Sequence, residues 1–318
     1  MEKPELRFKN GKFTVLIMSD IHGIYSFNRQ ILDDISLLID REKPSLVLIN
    51  GDMVWRDASD SEEHFRHFVT QVAQIFESRS LPWAYAFGNH DDEKGFDRFE
   101  QEKIYEEFPH CLNSSGPIEV DGAANYVLGV KKEKSEEIAY NIWVLDSHNS
   151  LRDYVTEFNL NPDMWFYKFD DPLYPCGGYD TIRFSQIMWY WQQSVKMEKE
   201  KGRKTAGLMA FHIPLPQFIT VYRSAAQCRF KGIRREAVGC GPFDSGLFNA
   251  LVERGEVKTV VCGHDHINDF EGELCGIRLA MDGGISYDGY CDSDIKGARL
   301  IEINEDDPFN VSTRMVRV

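Results

Sequence analysis

Five apolar runs in this chain stop abruptly on residues that bind metal ions. The run 13–19 ends in SDIHG, 46–50 in NGDMVW, 83–87 in GNHDDE, 206–211 in AFHIP and 257–262 in GHDH. Between the first three lie stretches with apolar residues at helical spacing, 28–40 (Ile31, Ile35, Leu38, Ile39) and 62–77. Short buried strands alternating with amphipathic helices predict a βαβαβ unit with parallel strands over the first ninety residues. Right-handed crossovers carry such strand ends to one edge of a sheet, where α/β sheets place their sites. One glycine or aspartate at a strand end means only a turn. The same polar chemistry at five strand ends predicts a site.

The rest of the chain is less regular. A helix is expected over 96–108, then strands over 125–130 and 138–146 joined across KKEKSEE, and a helix over 182–201. After the strand 206–211 come a helix over 247–253 and strands over 257–262, 277–281, 298–303 and 311–316. Two long stretches, 151–181 and 217–244, read as loops that cover a site. With no repeat and no Pro/Ser linker, the 318 residues are expected to form one domain carrying those two insertions.

A formal charge of -15 argues against a broad nucleic-acid surface, because phosphate backbones are bound by clustered Lys and Arg. Seven cysteines without a CxxC spacing argue against a zinc ribbon and a disulfide framework. The N-terminal apolar run FTVLIM is too short for a signal peptide or a membrane span, so a cytoplasmic setting without a membrane partner is expected.

The strand ends supply Asp20, His22, Asp52, Asn89, His90, His212, His264 and His266, including five of the nine histidines. Imidazole with carboxylate and amide oxygen, and no thiolate, suits Mn, Fe or Zn, with the choice left open. Seven of these eight groups already exceed what one tetrahedral ion with an open position needs, and suit two ions sharing a bridge. Asp52, with two oxygens and a position between the halves, is the natural bridge.

These blocks, in this order from Asp20 to His266, resemble the five motifs of the calcineurin-like metallophosphoesterases. The phrases FHIPLPQF, GHDHINDF and YDTIRFSQIMWYW resemble the purple acid phosphatase 29-like and Dcr2-like branch. The resemblance implies a four-layer α/β/β/α sandwich of two mixed sheets flanked by helices, with a dinuclear centre at one edge. It implies that Asp20, His22, Asp52 and His266 hold one ion, and that Asp52, Asn89, His212 and His264 hold the other. Side chains two apart in GHDH can straddle such a pair, leaving Asp265 to fix the turn. His90 would then serve the leaving-group oxygen, with Asp91 or Asp92 orienting its imidazole. One departure stands out: where purple enzymes carry an Fe³⁺-binding tyrosine, this chain has Trp55, so no purple centre is expected.

The implied reaction is hydrolysis of a phosphomonoester or phosphodiester by a water or hydroxide bridging the two ions. Two other readings stay open: a phosphoprotein phosphatase, and a metal-bound scaffold that has lost catalysis. Substrate contacts are expected from the loops. Arg223, Arg229, Lys231, Arg234 and Arg235 concentrate in 217–244, where they either grip phosphate or form a solvated surface. His148, in LDSHNS at another strand end, either faces the cleft or makes a turn bond. Tyr154, Trp165, Phe166, Tyr167, Tyr174 and Tyr179 offer rings for stacking on a leaving group.

Overall fold

A computed structural model describes residues 3–159 and 178–318. Trp165, Phe166, Tyr167 and Tyr174 lie outside the described residues. Two mixed sheets form its centre. In the five-stranded sheet, β2 (Lys12–Met18), β3 (Leu46–Asn50) and β4 (Trp83–Ala86) run parallel. Helices α1 (Gln30–Glu42) and α2 (Glu62–Glu77) make the two crossovers. This is the expected βαβαβ unit. Two antiparallel strands, β11 (Gly297–Asn304) and β12 (Ser312–Arg317), extend it beyond β2.

The seven-stranded sheet has the order β1-β5-β6-β7-β8-β10-β9. Its centre is parallel: β6 (Ile138–Val144), β7 (Ala206–Ala210), β8 (Val257–Cys262) and β10 (Ile277–Met281). Antiparallel β5 (Tyr126–Lys131) and β9 (Glu271–Leu274) flank that centre, and short β1 (Leu6–Arg7) closes the edge.

Period-two alternation makes the layers. Ile142, Val144, Leu208, Ala210 and Val261 join the core shared with the five-stranded sheet. Their neighbours Trp143, Leu145, Met209, Phe211, Val260 and Cys262 face a second core. That second core is covered by α5 (Phe184–Lys201), α6 (Gln217–Arg223) and α7 (Leu247–Arg254). Helices α1 and α2 bury Ile31, Ile35, Leu38, Phe65, Phe68 and Val72 in the first core. Two mixed sheets flanked by helices are therefore the fold.

Besides short β1, three elements depart from expectation. The stretch expected to be irregular from 151 opens with a helix, α4 (Leu151–Glu157), started by a capping box between Ser150 and Asp153. The loop expected over 217–244 begins with α6, entered directly after Pro216. Strand β9 was concealed by its two glutamates; it pairs with β10 across Cys275 and Gly276, both with positive φ. Helix α3 (Arg98–Glu106) completes the set.

Candidate metal centre

All five ligand-bearing segments leave the carboxyl ends of parallel strands: β2, β3, β4, β7 and β8. The first two are sewn together by main-chain bonds. Asp20 N–H donates to the Gly51 carbonyl (3.1 Å), His22 N–H to that of Asp52 (3.0 Å) and Gly23 N–H to that of Met53 (3.0 Å). Asp20, His22, Asp52 and His264 all hold positive φ, between 53° and 74°. For side chains with a Cβ this region costs about 1–3 kcal/mol each and persists where surroundings dictate it. Two glycines give the room. Gly51, at φ 96°, has His212 Nδ1 2.3 Å from where a Cβ would stand, and Gly88 has Asp52 Oδ1 at 2.1 Å.

Asp20, His22, Asp52 and His212 are 0 to 2 % exposed. Asp20 Oδ1 lies 3.2 Å from His266 Nε2 and 3.6 Å from His22 Nε2; Asp52 Oδ2 lies 3.2 Å from His212 Nε2 and 3.4 Å from His22 Nε2. Three ligand-like groups result among the described residues, Asp20 with His22 and His266, Asp52 with His212 and His264, and His22 with Asp52 and His90, each with its donor atoms within 4.8 Å of one another. Asp20 Oδ1, His22 Nε2, Asp52 Oδ2, Asn89 Oδ1 and His212 Nε2 are buried without a hydrogen-bond partner. Orphaned buried polar atoms are costly. Five such atoms at the ends of four strands fit metal ions that would take their lone pairs.

Ring tautomers support that fit. His212 Nδ1 sits 2.8 Å from the Asn50 carbonyl and His266 Nδ1 2.6 Å from the Tyr290 carbonyl, so each Nδ1 carries the proton and each Nε2 is left as a donor to metal. The electrostatics agree. Burial opposes charge on His22 and His212, yet the Asp20 and Asp52 carboxylates raise them to about 9 and about 10. Burial, followed by the neighbouring His212 charge, presses His264 down to about 3, so its imidazole stays neutral. The two carboxylates demand positive charge from whatever lies between them.

The expected roles of the asparagine block need revision. His90 lies at the rim, its side chain 31 % exposed, with Nδ1 2.9 Å from Glu93 Oε2. Its backbone N–H donates to Asp52 Oδ1 at 2.9 Å. Asp91 does not reach the imidazole. It is buried and accepts the backbone N–H groups of Asp52 (3.0 Å), Val54 (3.1 Å) and Gly88 (2.7 Å), holding the Asp52 turn in place. Asp92 is tied to Arg98 and Asn149. Glu93, three residues beyond His90 in the same block, makes the orienting contact that the sequence reading gave to Asp91 or Asp92. His90 also falls within ligand reach of His22 and Asp52.

The expected substrate residues fare unequally. Arg235 is committed to Asp292 and Asp294 at 2.7 Å, Arg229 to Glu273 at 3.1 Å, and the Arg234 guanidinium lies over the Tyr222 ring at 4.0 Å. An arginine held by two carboxylates has its charge spent locally. Arg223 is likewise engaged, on α6. His148 is bonded through Nε2 to Gln186 Oε1 at 3.1 Å and lines a side cavity with Arg98 and Arg183. Asp265 behaves as expected, accepting from Gly239 N–H (3.0 Å) and Asn268 Nδ2 (2.9 Å).

Asn89, His90 and Glu93 open onto a cavity of about 700 Å³ whose far wall carries Asn149, Arg152 and Tyr179. Tyr179 packs edge-on against His264, ring centres 4.1 Å apart. Sequence reasoning missed Arg152, because it lies in α4 inside the stretch expected to be irregular; the S-x-x-D cap at 150–153 was its signal. Trp55 stands edge-on to His22 at 5.2 Å and His90 at 5.8 Å, with Arg56 stacked on it at 3.8 Å.

Parallel strands of two packed sheets bring Asp, His and Asn to one edge, in groups that could hold metal ions. Residues 13–268 match the calcineurin-like phosphoesterase family, and the chain belongs to it. It is 30% identical over 321 residues to probable inactive purple acid phosphatase 29 of Arabidopsis thaliana, covering 91% of this chain and 76% of that protein. It is 27% identical over 285 residues to phosphatase DCR2 of Saccharomyces cerevisiae, covering 82% of this chain but 45% of that protein. The fold is shared with a dimetal phosphatase from Danio rerio at a TM-score of 0.60 and 13% identity, over 96% of this chain and 97% of that one.

Among the described residues no helix is long and apolar enough to cross a membrane.

Proposed function

We propose that the chain hydrolyses a phosphate ester, monoester or diester, at this centre. The observation that carries the proposal is the convergence of five orphaned buried donor atoms beside a cavity that also exposes an oriented histidine. Two cations held by Asp20, His22, Asp52, Asn89, His212, His264 and His266 would neutralise phosphoryl oxygens and acidify a water.

The protein's own groups do the rest. Asp52 presents Oδ2 to the cluster while its Oδ1 is fixed by the His90 backbone N–H. Glu93 accepts from His90 Nδ1 and would stabilise the imidazolium, whose Nε2–H would pass its proton to the departing oxygen and leave the ring neutral. Arg152 and Tyr179 shape the pocket for the leaving group, the arginine offering a charged contact to a polar or anionic substituent. Mn²⁺, Fe²⁺ and Zn²⁺ all suit this donor set.

The test is hydrolysis of para-nitrophenyl phosphate and of bis-para-nitrophenyl phosphate with Mn²⁺, then with chelator. Metal-dependent release of nitrophenol from either supports the proposal, and their ratio separates monoesterase from diesterase. A second reading, a metal-bound protein without turnover, draws on the word inactive in the plant relative's name. It requires that metal binds and neither ester is cleaved.

A further inference from the structure

The acid-paired arginines of the loop between α6 and α7 leave a question: what does that loop do so close to the centre? We infer that Arg235 and Glu236 are positioning residues for His266, Glu236 acting through Tyr290 and Arg235 through the segment that follows Tyr290 and through Asn268. The inference rests on the metal reading of the site.

His266, in the turn after β8, has two supports from Tyr290. The Tyr290 carbonyl accepts from Nδ1 at 2.6 Å, and the Tyr290 ring lies flat on the imidazole, with centres 4.0 Å apart and planes 7° apart. Together these set the tautomer and the tilt of the ring, and so aim Nε2 at Asp20 Oδ1, 3.2 Å away. Yet Tyr290 is 56% exposed, so burial does not hold it in place.

The loop supplies the hold. Glu236 Oε2 accepts from the Tyr290 hydroxyl at 2.8 Å, and Glu236 Oε1 accepts from the backbone N–H of Ile267, next to His266, at 2.9 Å. One carboxylate thus grips both the ligand's segment and the segment that stacks on the ligand. Arg235 repeats the pattern. Its guanidinium takes Asp292 and both oxygens of Asp294, all at 2.7 Å, while its backbone N–H donates to Asn268 Oδ1 at 2.9 Å. Asn268 in turn bonds Asp265 at 2.9 Å, within the GHDH turn itself. Single exposed ion pairs contribute little, but a guanidinium spanning two carboxylates and a carboxylate spanning two segments add geometric constraint.

The experiment is calorimetric titration of the chelator-stripped full chain with Mn²⁺. Arg235→Gln and Glu236→Gln are each expected to weaken one of the two binding steps roughly tenfold to a hundredfold and to leave the other unchanged. Tyr290→Phe, which keeps the ring and loses only the hydroxyl, should give a smaller loss at the same step. Exchanging the charges, Arg235→Asp with Asp294→Arg, should recover much of the affinity lost in Arg235→Gln. Thermal unfolding in chelator should be the same for wild type and Tyr290→Phe. Wild-type affinities at both steps in Arg235→Gln and Glu236→Gln would overturn the inference, and so would equal weakening of both. A wild-type chain that binds no Mn²⁺ would instead overturn the metal reading, and this inference with it.

Discussion

The floor and the rim of the cleft are built on opposite terms. On the floor, Asp20, His22, Asp52 and His212 are almost wholly buried, three of them hold left-handed backbone, and donor atoms of all four are unpartnered. At the rim, His90, Glu93, Tyr290 and Arg235 are partly or largely exposed, and their polar groups are paired: His90 with Glu93, Tyr290 with Glu236, Arg235 with two aspartates. Unpaired polarity at the floor has a cost that a bound cation would offset, whereas paired polarity at the rim can be rearranged cheaply as substrate enters. On the proposed function, the floor would hold metal and the rim would aim it and handle the ester.

Substitutions on the two levels should therefore differ in kind as well as size. Asp52→Asn should empty or loosen the centre and lower turnover by roughly three orders of magnitude, the several kcal/mol that Lewis-acid stabilisation supplies. Elemental analysis beside the rate assay checks both halves. A variant with full metal and full rate would end the bridging role.

His90→Ala belongs to the other level. It should retain both metals yet lose on the order of a hundredfold in kcat with a poor leaving group such as an alkyl phosphate, and much less with para-nitrophenyl phosphate. Loss of a metal ion would make His90 a ligand, which its closeness to His22 and Asp52 permits.

Arg152→Gln should raise KM by roughly tenfold for a substrate with an anionic leaving group, such as 4-carboxyphenyl phosphate, and leave phenyl phosphate nearly unchanged. Equal losses for both esters would remove Arg152 from the leaving-group pocket. The smallest effect is expected from Glu93→Gln. An exposed pair of this sort is worth up to about 1 kcal/mol, so kcat should fall by about twofold to fivefold without change in metal content.

The same division explains what could be read from the sequence. The floor was legible because each candidate ligand sits two to four residues beyond an apolar strand, so local pattern and βαβ handedness together place it. The rim depends on partners far apart in sequence. Nothing local to Arg235 announces Asp292 and Asp294, 57 and 59 residues on. Tyr290, which holds His266, lies 24 residues beyond it in a segment without strand or helix. Asp91 was misjudged for a related reason. An aspartate next to a histidine invites pairing, but adjacent side chains in a turn diverge, and this one turns inward to satisfy three backbone N–H groups. The residue three positions on from His90, Glu93, is the one whose side chain returns to the ring.

The central claim, that the floor binds two ions which act together on a phosphate ester, is tested most directly by one titration. Chelator-stripped protein is given Mn²⁺ in steps while para-nitrophenyl phosphate hydrolysis and bound metal are followed in the same sample. The account predicts little rate through the first equivalent and a steep rise with the second. Two bound equivalents without hydrolysis, or full rate at one, would contradict it.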